Sequence, residues 1–328
     1  MAVRAWFLPL VTVCLLVACS PHLVDVQKMR TGESHEGMQR RLQDVGLPLL
    51  IAAVEWCPFE QDATYGFLLR DHPASGDDPS QRTMTGPVVA YVHQRLPAAS
   101  TGLALGDRII EVNTTKVEGD DAGTVMRLIS RLTAARIQPL QLEVERDSTR
   151  RLVTMWALPI CKFSLRLVES DLINGVSNGR AIAVTTGAMQ IFSRDDEVAW
   201  VLAHEVAHNI LSHAQNAQLR VMLNAFLRAT VGAVSHEIPS PESRSLEVQA
   251  DYVGAYLMAR AGYDLDAVRR VWERLGAIER LQSESGRAMT RTHPTTAERL
   301  TAFQETFKEI MGKRQRGELL QPQLPPRD

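Results

Sequence analysis

The stretch VLAHEVAHNILSH, from Val201 to His213, is the most informative part of the sequence. His204 and His208 are four residues apart, so on a helix they lie on the same side, about 40° apart in projection. Two imidazoles in that arrangement can bind one metal ion, and the carboxylate of Glu205 follows the first of them directly. Most other residues here are apolar, and a buried helix can carry such polar groups only if they have partners. The stretch therefore predicts a metal site on a buried helix.

Residues outside this stretch must define where the helix begins and must supply a third metal ligand. Ser193 and Asp196 have the spacing of a capping box, which predicts that the helix begins there. Catalytic zinc usually has three protein ligands. One known spacing places a third histidine six residues after the second, but that position is Ala214, and His213 falls one residue short.

A later helix offers two carboxylates. Glu247 and Asp251 are four residues apart and share a helix face. One can bind the ion while the other orients a ligating histidine. The alternative is a surface pair on an amphipathic helix, the commoner position of carboxylates. The apolar residues that follow Asp251 favour burial.

The pattern as a whole resembles peptidase family M48, a family of zinc metallopeptidases. The matching residues are His204-Glu205-x-x-His208, Glu247-x-x-Ala250-Asp251, and Thr292-His293-Pro294 with Arg299. The resemblance covers about residues 161 to 312. It includes residues 172–189, LINGVSNGRAIAVTTGAM, which in that family contain an edge strand that can pair with the substrate backbone.

The resemblance implies a ligand set and a base. It implies that His204, His208 and Glu247 bind one zinc ion per chain, and that Glu205 is the general base that activates water. On the same grounds the substrate would lie extended along the edge strand, held by backbone hydrogen bonds. That arrangement favours endopeptidase action on flexible or unfolded segments.

Three further residues have roles that the resemblance leaves open. Asp251 is expected to orient a ligating histidine. His293 is either a fourth ligand that keeps the site latent, or it or Arg299 faces the substrate or the developing oxyanion. The sequence does not decide between these alternatives.

A second resemblance lies upstream. Residues 95–117, RLPAASTGLALGDRIIEVNTTKV, resemble the centre of a bacterial-type PDZ domain, and the similarity covers about residues 62 to 158. Gly102 and Gly106 supply tight turns, while Ile109 and Ile110 feed a strand. Asn113-Thr114 stands where the family usually has an Asn-Gly turn.

PDZ domains bind extended peptides by adding a strand beside a helix. The resemblance implies that Tyr65-Gly66-Phe67-Leu68 is the loop that receives a C-terminal carboxylate. The alternative is an ordinary strand that contains a glycine. We therefore expect protein or peptide partners for this domain.

The N-terminus, MAVRAWFLPLVTVCLLVACS, has Arg4, an apolar run and then small residues, as secretory signals do. Its end, Leu16 to Cys19, resembles the lipobox of bacterial lipoproteins. That resemblance implies cleavage before Cys19, acylation of its thiol, and attachment to a membrane through lipid. Ser20 after the cysteine implies that the lipid anchor lies in the outer membrane and that the chain lies in the bacterial periplasm. The alternative is an ordinary cleaved signal with an incidental cysteine.

The remaining cysteines then become informative. The chain has four cysteines, of which Cys14 leaves with the signal and Cys19 is acylated. Cys57 and Cys161 remain in an exported, oxidising compartment, where a disulfide between them is the simplest interpretation. The alternative is two buried free thiols.

Length and composition are consistent with about two globular domains. The chain has 328 residues, 45% hydrophobic and 23% charged, with a net charge of -2, so the charge indicates no nucleic-acid partner. We predict an α+β protein in which a β-rich PDZ domain precedes a mainly helical zincin-type metallopeptidase domain with a small edge sheet. The predicted segments are a signal peptide (1–18), a tether (19–45), a PDZ-like domain with flanking strands (46–160), a metallopeptidase domain (161–312) and a disordered tail (313–328).

Two stretches within these segments have their own predictions. Residues 47–59, LPLLIAAVEWCPF, are interpreted as a strand. Residues 219–238, LRVMLNAFLRATVGAVSHEI, are interpreted as a helix beside the catalytic helix, with a membrane-facing or substrate-groove lid as the alternative.

The resulting hypothesis is a lipid-anchored periplasmic zinc endopeptidase that cleaves extended or misfolded envelope proteins, with the PDZ domain recruiting peptide segments. The alternative is a peptide-binding chaperone or adaptor lipoprotein whose protease site is latent or vestigial. The presence of Glu205 favours the enzyme, because a binding module has no need of a base.

Overall fold

The computed structural model describes residues 32–57, 61–71, 86–134, 139–211, 241–284 and 297–324. The predicted signal peptide with Cys19, residues 219–238 and His293 lie outside the described residues. Within these ranges, the longest apolar helices fall short of what a membrane crossing requires.

The described chain contains both helices and strands, which confirms the predicted α+β class. The helices are α1 (His35–Ala52), α2 (Pro97–Ser100), α3 (Ala122–Ala134), α4 (Thr186–Ile191), α5 (Asp195–Ile210), α6 (Pro241–Ala261), α7 (Asp266–Glu284) and α8 (Ala297–Gln315). The strands are β1 (Gln61–Thr64), β2 (Phe67–Asp71), β3 (Pro87–Val92), β4 (Arg108–Val112), β5 (Thr115–Lys116), β6 (Leu140–Arg146), β7 (Thr149–Met155), β8 (Leu158–Cys161), β9 (Ser164–Val168), β10 (Gly175–Ser177) and β11 (Ala181–Thr185).

The first half is an antiparallel sheet with a helix against it. The strand order is β2-β3-β4-β6-β7, so β2 is the outermost described strand on one side, and α3 packs beside it. Leu140, Leu142 and Val144 alternate into the core along β6, and Val125 and Ile129 project from α3 into the same core. An edge strand beside a helix is the arrangement to which an extended peptide can add as a further strand.

The second half has a small sheet and a layer of helices. Its sheet has the order β10-β11-β9, with β11 antiparallel to β10 and parallel to β9. α5 and α6 cross closely because Gly254 has no side chain: a Cβ there would lie 3.2 Å from the backbone nitrogen of His204. This close crossing brings the carboxylates of α6 beside the histidines of α5.

The N-terminal part of the described chain corrects two predictions. Residues 47–59 were predicted as a strand, but α1 extends to Ala52 and a 3-10 turn follows at Val54–Trp56. Residues 35–45 were assigned to the tether, yet they begin α1, and Met38 and Leu42 are buried in the same core as α5 and α6. The apolar run fits either a strand or a buried helix, and the helical periodicity that decides between them starts inside the supposed tether.

The C-terminal part corrects a third prediction. Residues 313–328 were predicted to be disordered, but α8 continues to Gln315, and Lys313 Nζ donates a hydrogen bond of 2.8 Å to the carbonyl of Gln321. Leu320 and Leu324 pack against the core of the helical half. The polar composition of this segment predicted disorder. The prediction failed because two apolar residues are enough to anchor a short segment to the core.

A disulfide fixes the N-terminal helical segment to the core of the helical half. Cys57 and Cys161 form a disulfide with their Cα atoms 5.6 Å apart and 104 positions apart in sequence. The bond connects the end of the 3-10 turn to β8, which pairs with β1. Because both cysteines lie in or against the core that α1 shares with α5 and α6, the bond fixes the end of the α1 segment to that core.

Candidate metal centre

Helix α5 is fixed at its start by a buried carboxylate. The helix begins at Asp195, with Arg194 as the N-cap, and Glu197 accepts a hydrogen bond of 3.3 Å from the backbone nitrogen of Arg194. The predicted Ser193–Asp196 pair is therefore wrong by one residue. Glu197 takes the role because Arg274 of α7 holds its buried carboxylate at 2.9 Å. This anchoring sets the position of the two histidines further along the helix.

Three predicted ligands converge on one point. The Nε2 atoms of His204 and His208 are 3.0 Å apart, and Glu247 places its two carboxylate oxygens 3.3 Å and 3.4 Å from them. All three residues are buried, and their donor atoms lie within 4.8 Å of one another.

The donor set fits zinc. Two nitrogens bound tetrahedrally at ~2.05 Å from one zinc ion lie about 3.3 Å apart, close to the spacings observed here. Two imidazoles and one carboxylate are also the ligands of several catalytic zinc sites, which leave a fourth position for water or substrate. His204, His208 and Glu247 are therefore the residues that could hold the ion.

Asp251 fixes the orientation of one ligand. Its Oδ1 atom is 3.0 Å from Nδ1 of His204. A carboxylate can only accept a hydrogen bond from the nearer ring nitrogen, so Nδ1 donates and Nε2 can direct its lone pair toward a metal ion. This contact is the one that the orienting role predicted for Asp251 requires.

Arg299 forms ion pairs with the carboxylates of Asp251 and Glu247. Its Nε and Nη2 atoms donate to Asp251 at 2.6 Å and 2.7 Å, and Nη1 is 2.9 Å from Glu247. The guanidinium is buried, and Trp272 lies beneath it at 6.0 Å from the ring centroid. In this arrangement Arg299 holds two carboxylates through three ion-pair contacts. These contacts argue against a role for Arg299 in stabilising an oxyanion.

The charges of this cluster perturb its ionisation. Burial favours the neutral form of Asp251, but the charge and hydrogen bonds of Arg299, together with those of His204, outweigh it and hold the pKa of Asp251 below its usual range. Burial likewise opposes a charge on His204, yet hydrogen bonds to Asp251 and Glu247 raise the pKa of His204 to about 10. The carboxylates of Glu205, Glu247 and Asp251 outnumber the one guanidinium of Arg299, so this cluster stabilises a cation, either a proton on His204 or a bound metal ion that displaces that proton.

Glu205 is a residue of helix α5, and its side chain lies against the edge strand β10. Its side chain is almost fully buried, and a Cβ at Gly175 would lie 3.4 Å from its Cγ and 3.5 Å from its Oε1. The same Cβ would lie 2.8 Å from Val201, closer than packed atoms allow. Gly175 therefore lets the edge strand approach the base. Gly175 is not among the site residues predicted from the sequence, although an isolated glycine in a strand often marks such an approach.

We expect Gly175→Val to lower kcat/KM for peptide hydrolysis by about 10- to 100-fold, because the strand must move away from Glu205. Zinc content should stay at the wild-type level. The neighbouring Val176→Ala is the control, since Val176 packs on Ala183 at the other face of the strand. Equal loss in both variants would show that general damage to the sheet, rather than strand spacing, is responsible.

The PDZ loop lies at the start of the edge strand β2. Gly66 has φ of +82°, and a Cβ there would lie 2.4 Å from Leu96. The Tyr65 carbonyl accepts a hydrogen bond of 2.9 Å from the nitrogen of Ala98, and Phe67 begins β2. The loop 65–68 thus leads into the strand that borders the groove along α3.

Comparison with known proteins agrees with this site. The profile described as "Peptidase family M48" matches residues 140–307, just over half of the chain, and the profile described as "PDZ domain" matches residues 65–155. The chain therefore belongs to peptidase family M48 and carries a PDZ domain. The two matches overlap at residues 140–155, within β6 and β7.

Relatives are similar over part of their length. The mitochondrial metalloendopeptidase OMA1 of Schizosaccharomyces pombe is 29% identical over 179 residues, which are 51% of this chain and 53% of the relative. A putative beta-barrel assembly-enhancing protease of Vibrio cholerae is 27% identical over 170 residues, 45% of this chain and 35% of the relative. The chain thus spans about half or less of these relatives. A solved structure, the HtrA3 PDZ domain bound to a phage-derived ligand, is 21% identical with a TM-score of 0.24 and covers 31% of this chain and 89% of its own.

Proposed function

We propose that the chain is a zinc-dependent endopeptidase that cleaves extended segments of proteins. The observation that carries this proposal is the convergence of His204, His208 and Glu247 within 4.8 Å, next to the buried base Glu205. Membership in a peptidase family and the similarity to proteins named as metalloendopeptidases support it.

The chain's own residues supply binding, orientation and proton transfer. His204, His208 and Glu247 would hold zinc, which when bound acts as a Lewis acid that promotes ionisation of water and polarises a carbonyl. Glu205 accepts the proton of the attacking water and returns it to the leaving amine. Asp251 and Arg299 keep His204 and Glu247 in place, so that the base and the ligands do not reorganise during the reaction.

The edge strand β10 favours an extended substrate. β10 is the outermost described strand of its sheet, and Gly175 brings it against Glu205. A polypeptide that pairs with this strand by backbone hydrogen bonds would lie across the base. Only flexible or unfolded segments can adopt this conformation, so we propose that substrates are misfolded or extended proteins.

The PDZ domain and the N-terminus supply recruitment and location. We propose that the loop Tyr65–Leu68 and the groove between β2 and α3 bind peptide segments of substrates. Acylation at Cys19 would anchor the chain to the outer membrane and place the site in the bacterial periplasm. The lipobox-like sequence and the similarity to a bacterial protease named for beta-barrel assembly support an envelope role.

We expect a purified form lacking residues 1–19 to cleave unfolded casein, and a chelator to abolish the cleavage. Readdition of about one equivalent of Zn²⁺ should restore it, whereas Mg²⁺ should not, because two imidazoles favour zinc. Cleavage is measured by mass spectrometry of the products. Cleavage that persists in the metal-free protein would refute the proposed function.

A further inference from the structure

His93, at the end of β3, connects the PDZ loop to the helical half. It is only 3% exposed. Its backbone nitrogen donates to the Gly66 carbonyl at 2.8 Å, and its Nδ1 accepts from the Arg95 nitrogen at 3.1 Å. Because Nδ1 accepts a hydrogen bond, the ring carries its own proton on Nε2, which lies 3.2 Å from the Asp44 carbonyl of α1. One buried residue thus links the predicted carboxylate loop, through its backbone nitrogen, to α1, through its ring.

A second contact reinforces this link. The Tyr91 hydroxyl, on the same strand, donates a hydrogen bond of 2.7 Å to the Asp44 carboxylate. Burial, and then the hydrogen bond to Asp44, raise the pKa of Tyr91, so the hydroxyl stays protonated and keeps donating. β3 therefore holds both the backbone and the side chain of Asp44.

Helix α1 connects Asp44 to the catalytic helix. Arg41, almost one turn before Asp44, donates to Asp195 at 2.7 Å and to the Phe192 carbonyl at 2.8 Å, so it contacts the first turn of α5 and the end of α4. Leu42 and Leu49 are fully buried in the core that α1 shares with α5 and α6. A displacement of α1 must therefore act on the start of the helix that carries His204 and Glu205.

The loop itself has little room to move independently of His93. Gly66 has a positive φ, and Leu96 lies so close that even a Cβ would overlap with it. A peptide carboxylate that binds to the loop would pull on the backbone at Gly66, and the Gly66 carbonyl is the acceptor of the His93 nitrogen.

We propose that occupancy of the PDZ loop is coupled to the catalytic helix through His93, Asp44 and α1, with His93 as the positioning residue. The proposal rests on the proposed function for its biological meaning. Coupling between two sites is reciprocal, so peptide binding at the loop and order at the start of α5 influence each other. The partner that engages this coupling is a peptide with a free C-terminal carboxylate.

Hydrogen exchange in four full-length proteins tests the coupling: wild type, Gly66→Ala, His93→Leu and the double variant. Gly66→Ala strains the loop, and we expect amides around Asp44 and in residues 192–198 to exchange about fivefold faster or more. In the His93→Leu background, the same change should add nothing at these amides. His93→Gln, whose amide can still donate to the Asp44 carbonyl, should retain the coupling.

The control is Gly119→Ala, another PDZ glycine with positive φ, at which a Cβ would meet no atom within 4 Å. It should leave α1 and residues 192–198 unchanged. If Gly66→Ala unfolds the PDZ domain, seen as full exchange of β3 and β4, Leu96→Ala replaces it in the same cycle. The proposal is overturned if the loop change leaves α1 unaffected, or affects it equally with His93→Leu. Exchange requires no cleavage, so a protein without protease activity can still show the coupling, and this result separates it from the proposed function.

Discussion

Glu205→Gln will retain zinc and lose catalysis. The amide keeps nearly the size of the carboxylate but cannot accept the proton of water, so we expect kcat for casein-derived peptides to fall by about 10²- to 10⁴-fold. Glu205 is not among the three proposed ligands, so zinc content and the thermal midpoint of unfolding should stay near those of the wild type. Initial rates and metal content are measured on the same preparation.

The matched control for Glu205→Gln is Glu169→Gln, which makes the same change at an exposed residue of the same domain. It should retain wild-type activity. Full activity of Glu205→Gln would remove the base from the mechanism. Loss of zinc from Glu205→Gln would assign the residue to the metal site itself. The same variant separates catalysis from a chaperone or adaptor role, since cellular function that survives it cannot depend on cleavage.

Arg299→Met will destabilise the protein and weaken metal binding. Removal of the guanidinium leaves Asp251 and Glu247 buried without the cation that now contacts both, and breaking such a buried pair typically costs about 3–5 kcal/mol of the free energy of unfolding. Loss of the orientation of Asp251 and His204 should also weaken zinc affinity by about 10- to 100-fold. Denaturant unfolding and competitive zinc titration measure the two effects.

Arg299→Lys should recover part of both losses, because it restores the charge but not the paired hydrogen bonds to Asp251. The control is Arg269→Met, which removes an exposed arginine that pairs only with Glu273 at its own surface among the described residues. If Arg299→Met instead keeps zinc affinity and stability but loses kcat, Arg299 acts on the substrate or the oxyanion, the alternative implied by the family resemblance.

Part of the metal centre could be predicted because the residues that form it lie close together in sequence within two helices. His204, Glu205 and His208 share one helix, and the spacing of Glu247 and Asp251 defines a second helical face. The structure brings these five residues together, while their roles in catalysis remain predictions. The contacts of Arg299 could not be predicted, since they depend on how α8 packs against α6. Gly254 was missed for the same reason, because a close approach between two helices leaves no pattern in either helix alone. Gly175 had a signal, since an isolated glycine in a strand often marks a close approach.

The errors in the fold also have physical causes. The apolar residues Leu47 to Ala52 are compatible with a strand or a helix, and only burial of Met38 and Leu42 shows that the helix starts earlier. The segment after α8 was judged by its prolines and charges, although Leu320 and Leu324 anchor it. In contrast, membership in family M48 and the presence of a PDZ domain are confirmed, because both rest on motifs whose spacing is visible in the sequence.

The central claim is that His204, His208 and Glu247 form one zinc site. The most direct test is the zinc content of the purified form lacking residues 1–19, measured beside Glu247→Ala after both have been supplied with zinc. We expect about one zinc per chain in the parent and loss or strong weakening of binding in the variant. A folded parent protein that binds no zinc, or a Glu247→Ala variant that binds zinc as tightly as the parent, would contradict it.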